Sequence, residues 1–155
     1  MVRRIGSAVL TLTVAAGVTL ATAAPASAAT NKFAVPSGTG CLDGYNEHRP
    51  TELYTTGCNT GSFQRWGWGG VFNSRTQLRS SAVTSHCIQQ DIENTAVSLE
   101  PCVNGRSTQA WLVQGRPGSL VIRSAAAPEL CLTRAAENVD MAPCTSGRPA
   151  AWVLR

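Results

Sequence analysis

Histidine is scarce in this chain: His48 and His86 are the two present. No G-x-S-x-G motif occurs, no His, Asp and Ser ordering of a nucleophilic triad is recognisable, and the acidic residues are dispersed. Acid–base and nucleophilic catalysis need such groups within hydrogen-bond reach of one another, so the sequence argues against an enzyme and offers no catalytic residue. Cys-x-x-Cys pairs and Cys/His clusters are missing as well, which removes the usual zinc patterns. No metal and no cofactor is expected. The absence of a basic run argues against nucleic acid as a partner. Beyond the N-terminal segment no stretch shows a convincing helical apolar period, and none could span a membrane.

The N-terminal segment is different in kind. Arg3 and Arg4 precede an uncharged, mostly apolar or small stretch from Ile5 to about Ala24, and Ala26-Ser27-Ala28 follows. A basic start, an apolar middle and an A-x-A site make a secretory signal peptide over residues 1–28, with a secreted protein beginning at Ala29. The alternative, an N-terminal anchor, meets Thr11, Thr13, Gly17 and Thr19 inside its best apolar run, Val9 to Leu20. That run falls short of the roughly 20 predominantly apolar residues a spanning helix needs. Without Arg3 and Arg4 the 13 basic side chains become 11 against 9 acidic ones, a net charge of +2.

Residues 29–155 fit one domain, and all six cysteines lie within it. In an exported chain an even cysteine count reads as a disulfide framework, for which six cysteines allow 15 pairings. Repetition favours one of them. Cys41-Leu42-Asp43, Cys58 and Gln64-Arg65-Trp66 are echoed by Cys87-Ile88-Gln89, Cys102 and Gln109-Ala110-Trp111. A third echo runs Cys131-Leu132-Thr133, Cys144 and Ala150-Ala151-Trp152. The tryptophans step by 45 and 41 residues, and each follows the second cysteine of its repeat by 8 or 9. Upstream, Leu78 and Ile122 stand nine before Cys87 and Cys131, and Phe33 eight before Cys41. The repeats span about 33–76, 77–119 and 120–155. Pairing within repeats, Cys41–Cys58, Cys87–Cys102 and Cys131–Cys144, closes three similar loops.

Each repeat reads as short strands and turns, with Thr95–Leu99 and Ser119–Ile122 as strand candidates and frequent Gly, Asn and Pro punctuation. The class is all-β. Three repeats are too few for a propeller, so a closed threefold arrangement fits better. Trp66, Trp111 and Trp152 are expected to converge as a core near a pseudo-threefold axis. Trp68 has no counterpart and reads as core or rim packing, with ligand contact as the alternative.

These residues resemble the ricin B-type lectin family, β-trefoil domains with Gln-x-Trp repeats, from about Phe33 to Trp152. The resemblance implies twelve strands, a six-stranded barrel with a hairpin cap, within-repeat disulfides and one potential sugar pocket per repeat. It also implies the pocket residues: an Asp two after the first cysteine, an aromatic two before the second, and an Asn before the Gln. A carboxylate accepts sugar hydroxyls, an aromatic face covers C–H groups, and an amide fixes orientation.

Repeat one has Asp43 and Gln64, with Thr56 at the aromatic position and Phe63 at the Asn position. Tyr54, two before Thr56, shares its strand face, and Tyr45, Asn46 and His48 follow Asp43 in the adjoining loop. The candidate carbohydrate-binding residues are therefore Asp43, Tyr54, Thr56 and Gln64. Repeat two offers Gln89, Glu100 and Thr108 and keeps Gln109, with Asp91 as a substitute acid if the strand runs that far. Repeat three offers Thr133, Ala142, Pro149 and Ala150, which do not make the family pocket. The expected function is a secreted carbohydrate-binding module with at most one sugar pocket, in repeat one, and a glycan or glycoprotein as partner. The alternative is a protein-binding trefoil with degenerate sugar sites, an inhibitor of a secreted enzyme or an accessory subunit, acting through loops such as those carrying Arg49-Pro50 or Arg106.

Overall fold

The computed structural model describes residues 28–44, 52–146 and 151–155. Residues 1–27 of the expected signal peptide, with Tyr45, Asn46, His48, Arg49, Pro50, Pro149 and Ala150, lie outside the described residues.

The fold is a β-trefoil whose three repeats are strand-turn-strand units. Repeat one contains β1 (Ala29–Asn31), β2 (Phe33–Ala34), β3 (Cys41–Asp43), β4 (Tyr54–Thr56) and β5 (Trp66–Trp68). Repeat two contains β6 (Arg75–Thr76), β7 (Arg79–Ser80), β8 (His86–Gln90), β9 (Val97–Pro101) and β10 (Trp111–Arg116). Repeat three contains β11 (Ser119–Ser124), β12 (Leu130–Ala135), β13 (Asn138–Pro143) and β14 (Ala151–Leu154). Twelve strands were expected and fourteen segments occur, because the first strand of repeats one and two is interrupted where repeat three runs on as β11. The short apolar strand expected from Ser119 is thus two residues longer than expected, and the one expected from Thr95 begins instead at Val97.

Each tryptophan strand sits between two first strands. Trp66 pairs with Asn31 and with Ser80, and Trp111 with Thr76 and Ser124. Trp152 pairs with Leu120, and its neighbour Val153 with Ala34, which closes the barrel from repeat three back to repeat one. Every repeat therefore completes its neighbour.

The core follows from this closure. Trp66, Trp111 and Trp152 are fully buried. A buried indole N–H needs an acceptor, and all three find the same one. Trp66 Nε1 donates to Leu42 O at 3.1 Å, Trp111 Nε1 to Ile88 O at 2.9 Å and Trp152 Nε1 to Leu132 O at 3.0 Å. In each case the acceptor follows the first cysteine of the same repeat. Trp68 is core as well: its indole donates to Asn31 Oδ1 at 2.9 Å and packs against Phe33 and Phe72.

The hairpins β3–β4, β8–β9 and β12–β13 cap one end. They touch one another through Tyr54 with Asn138, Glu52 with Ser98 and Ala96 with Asp140. Leu53, Val97 and Val139, one residue from each hairpin, are buried there. The disulfides are Cys41–Cys58, Cys87–Cys102 and Cys131–Cys144, with Cα atoms 4.9–5.0 Å apart.

Candidate functional site

In repeat one Asp43 lies directly opposite Tyr54, and Cys41 opposite Thr56. Side chains alternate along a strand, so Asp43, Tyr54 and Thr56 share one face while Leu42 and Thr55 turn to the buried one. Side chains directly opposite each other have Cβ atoms about 5 Å apart, close enough for the carboxylate and the phenol ring to address one ligand. Asp43 is nearly buried at 5% exposure, and Tyr54 and Thr56 are half-buried.

Gln64 reaches this face from behind. After Cys58 the chain turns back through one turn of 3-10 helix, Ser62–Gln64, a helical element that no apolar period announces. That turn tucks the Gln64 side chain inside at 0% exposure. Its amide donates to Asp43 Oδ2 at 3.0 Å and to Gly57 O at 2.9 Å, and accepts from Asn59 N at 2.8 Å. Gln64 thus grips the main chain on both sides of Cys58 and orients the carboxylate of Asp43. A carboxylate has about four lone-pair directions, and this amide takes one of those on Asp43.

Repeat two has the same brace. Gln109 donates to Pro101 O at 2.8 Å and accepts from Val103 N at 2.8 Å, on either side of Cys102. Its other donor goes to Gln89 Oε1 at 3.1 Å, where Arg106 Nη1 also donates at 3.1 Å. The oxygen standing where Asp43 stands is taken by two protein donors. A cavity of about 510 Å³ remains beside Gln89, Ser98 and Glu100. Strand β8 ends at Gln90, and Asp91, which lines the same cavity, donates its N–H to Ala96 O at 3.0 Å. It accepts from Glu93 N at 2.9 Å and also bonds Asn94, capping its own turn. In repeat three Thr133 Oγ1 donates to Asp140 across the hairpin at 3.0 Å, so hydroxyl and carboxylate meet each other.

Two positions escaped the sequence reading. A Cβ on Gly44 would stand 2.9 Å from the Trp66 ring, so glycine after Asp43 lets the core tryptophan close beneath the site. Asn59 presents its N–H to Gln64, a main-chain role that no side-chain motif signals. His86 is in contact with Ser85 Oγ, 3.0 Å from Nδ1. Among the described residues no group of three or more His, Cys, Asp or Glu is placed to hold a metal, and no helix is long and apolar enough to cross a membrane.

Known proteins agree with this architecture. The β-trefoil lectin of the Vibrio vulnificus hemolysin/cytolysin, solved with N-acetyl-D-lactosamine bound, superposes with a TM-score of 0.63 at 18% identity. The match covers 83% of this chain and 94% of that one. The designed threefold-symmetric protein ThreeFoil matches with a TM-score of 0.64 at 13% identity, over 81% of this chain and 96% of that one. A chain of the cytolethal distending toxin of Actinobacillus actinomycetemcomitans matches at 0.65 and 13%, over 81% and 89%. No curated protein sequence matches significantly. The model of the ricin-type beta-trefoil lectin domain matches residues 32–147. With its three buried tryptophans, two glutamine braces and three within-repeat disulfides in register, the chain belongs to the ricin-type β-trefoil lectin domain family.

Proposed function

We propose that this protein is a secreted, non-catalytic carbohydrate-binding module that takes a sugar at repeat one, with Asp43 accepting hydroxyl hydrogen bonds, Tyr54 covering the ring and Thr56 at the rim. Gln64 acts behind them by holding Asp43. One observation carries this reading: in repeat one a carboxylate, Asp43, oriented by Gln64, stands opposite an aromatic side chain, Tyr54, whereas the matching residue is an amide, Gln89, in repeat two and a hydroxyl, Thr133, in repeat three. Membership of a lectin family supports it. Secretion is supported by the signal-peptide pattern of residues 1–28 and by strand β1, which starts at Ala29. With one site per chain the affinity for a simple sugar is expected on the order of micromolar to millimolar.

The replacement of the repeat-one carboxylate by Gln89 and Thr133 in repeats two and three favours a second reading, a trefoil that docks on a secreted protein. A glycan array of the oxidised protein, run beside Asp43→Ala, separates the two. Specific signal lost in the variant supports the sugar site. A blank array from folded protein supports the protein-docking reading instead.

A further inference from the structure

A second site stands on the other flank of repeat one. A cavity of about 520 Å³ opens between β1, the segment after Cys58 and Arg155. Lys32, Arg65 and Arg155 line it with Asn31, Asn59 and Thr60, and no Asp or Glu is among the described residues that line it. An α-carboxylate on Arg155 would offset one charge and leave the space net positive.

The other repeats show that the fold does not require these cations. Lys32 precedes Phe33 as Gln77 precedes Leu78 and Val121 precedes Ile122. Lys32 Nζ donates to Asn59 O, the carbonyl after Cys58. Gln77 Nε2 donates to Val103 O, the carbonyl after Cys102, at 3.0 Å. A neutral amide meets the same structural need, and Val121 has no side-chain donor at all. Likewise Arg65, which precedes Trp66, corresponds to Ala110 and Ala151. Two positions that are neutral in both other repeats are cationic in this one, and both face one cavity with a third cation beside them. Like charges gathered in one place repel, and a bound anion relieves that repulsion.

The donor set is suited to an oxyanion. Lys32, the one lysine of the sequence, spends one of three N–H groups on Asn59. Arg65 and Arg155 supply planar forks that match sulfate, phosphate and carboxylate. Asn31, anchored through its carbonyl by Trp68, adds an amide NH₂. A space of this size accommodates a sugar unit together with its charged group.

We propose that this cavity binds an oxyanion, carried as the sulfate, phosphate or carboxylate group of an acidic saccharide. The site is separate from Asp43 and does not depend on sugar binding there.

Isothermal titration of the oxidised protein with a sulfated tetrasaccharide, its desulfated counterpart, and inorganic sulfate and phosphate tests it. The variant Lys32→Gln/Arg65→Ala carries the residues repeat two already has, and a thermal melt checks its fold. Arg75→Gln/Arg116→Gln removes the same charge elsewhere. The expected result is binding of the sulfated saccharide that weakens with salt. It should fall tenfold or more in Lys32→Gln/Arg65→Ala, persist in Arg75→Gln/Arg116→Gln and persist in Asp43→Ala. Binding of inorganic sulfate or phosphate without the saccharide, lost in the same variant, supports the oxyanion site with a free ion as its occupant. Failure of every probe to bind, equal binding of the desulfated saccharide, unchanged affinity in Lys32→Gln/Arg65→Ala, or equal loss in both double variants overturns the proposal.

Discussion

Gln64 donates its side-chain amide to Asp43 Oδ2 at 3.0 Å, joining residues 21 apart in sequence through a side chain with no exposure of its own. The same amide holds the backbone before and after Cys58. Structure and proposed recognition therefore meet in one group.

Gln64→Ala leaves Gly57 O and Asn59 N without that partner, and unsatisfied groups of this kind cost about 1–3 kcal/mol. Gln109→Ala in repeat two should cost a similar amount, since Gln109 makes the matching bonds. Urea denaturation reads both. Sugar binding should fall with Gln64→Ala and stay unchanged with Gln109→Ala, because Gln109 braces no carboxylate.

Gly44→Ala tests the floor of the site. The added Cβ meets the Trp66 ring at 2.9 Å, and overpacking a full core costs about 1–3 kcal/mol. A lowered denaturation midpoint with an unchanged slope is the expected outcome. No loss of stability would show that Trp66 has room to move.

Replacing any of the three core tryptophans by Phe removes the N–H that satisfies Leu42 O, Ile88 O or Leu132 O and leaves a void. Each substitution should cost about 2–4 kcal/mol. Trp152→Phe is expected to cost the most. Arg134 lies over that ring, 5.9 Å from its centroid, and Phe offers a weaker face than Trp for a cation–π contact worth about 0.5–1 kcal/mol. Burial draws the Arg134 pKa below its ordinary value. Equilibrium unfolding of the three variants under matched conditions gives the ranking.

The disulfides should divide by role. Cys87→Ala/Cys102→Ala opens a loop of 15 residues, worth about 3 kcal/mol in the chain-entropy model. Cys41→Ala/Cys58→Ala should lower stability comparably and also weaken sugar binding, because Gln64 grips the residues flanking Cys58. Calorimetric melts and sugar titration, run on both variants, distinguish the two effects.

The trefoil was legible because its core repeats: a buried tryptophan and a cysteine pair recur at near-constant offsets, and few folds place three such sets around one axis. Tyr54 was legible by strand parity with Thr56. Its position opposite Asp43 depends on hairpin register, which parity does not give. Gln64 entered the sequence reading as a binding residue, yet its direction is set by a three-residue helical turn too short to leave a period. Asp91 shares the face of Gln89 only if the strand runs that far, and β8 stops one residue earlier, where the Asp91 carboxylate bonds the following turn. The cations at Lys32 and Arg65 were visible as residues, but their convergence depends on β1 lying beside the segment after Cys58.

The closing pair of strands, with Val153 opposite Ala34 and Leu154 opposite Phe33, places residues near the two ends of the domain side by side. Chain order is then largely independent of architecture. Joining Arg155 to Ala29 with a short linker and cutting the chain between repeats, for instance near Gly118 in the β10–β11 turn, yields a circular permutant with the same barrel. What changes is the timing of assembly, because a different pair of repeats must now find each other across the longest stretch of chain.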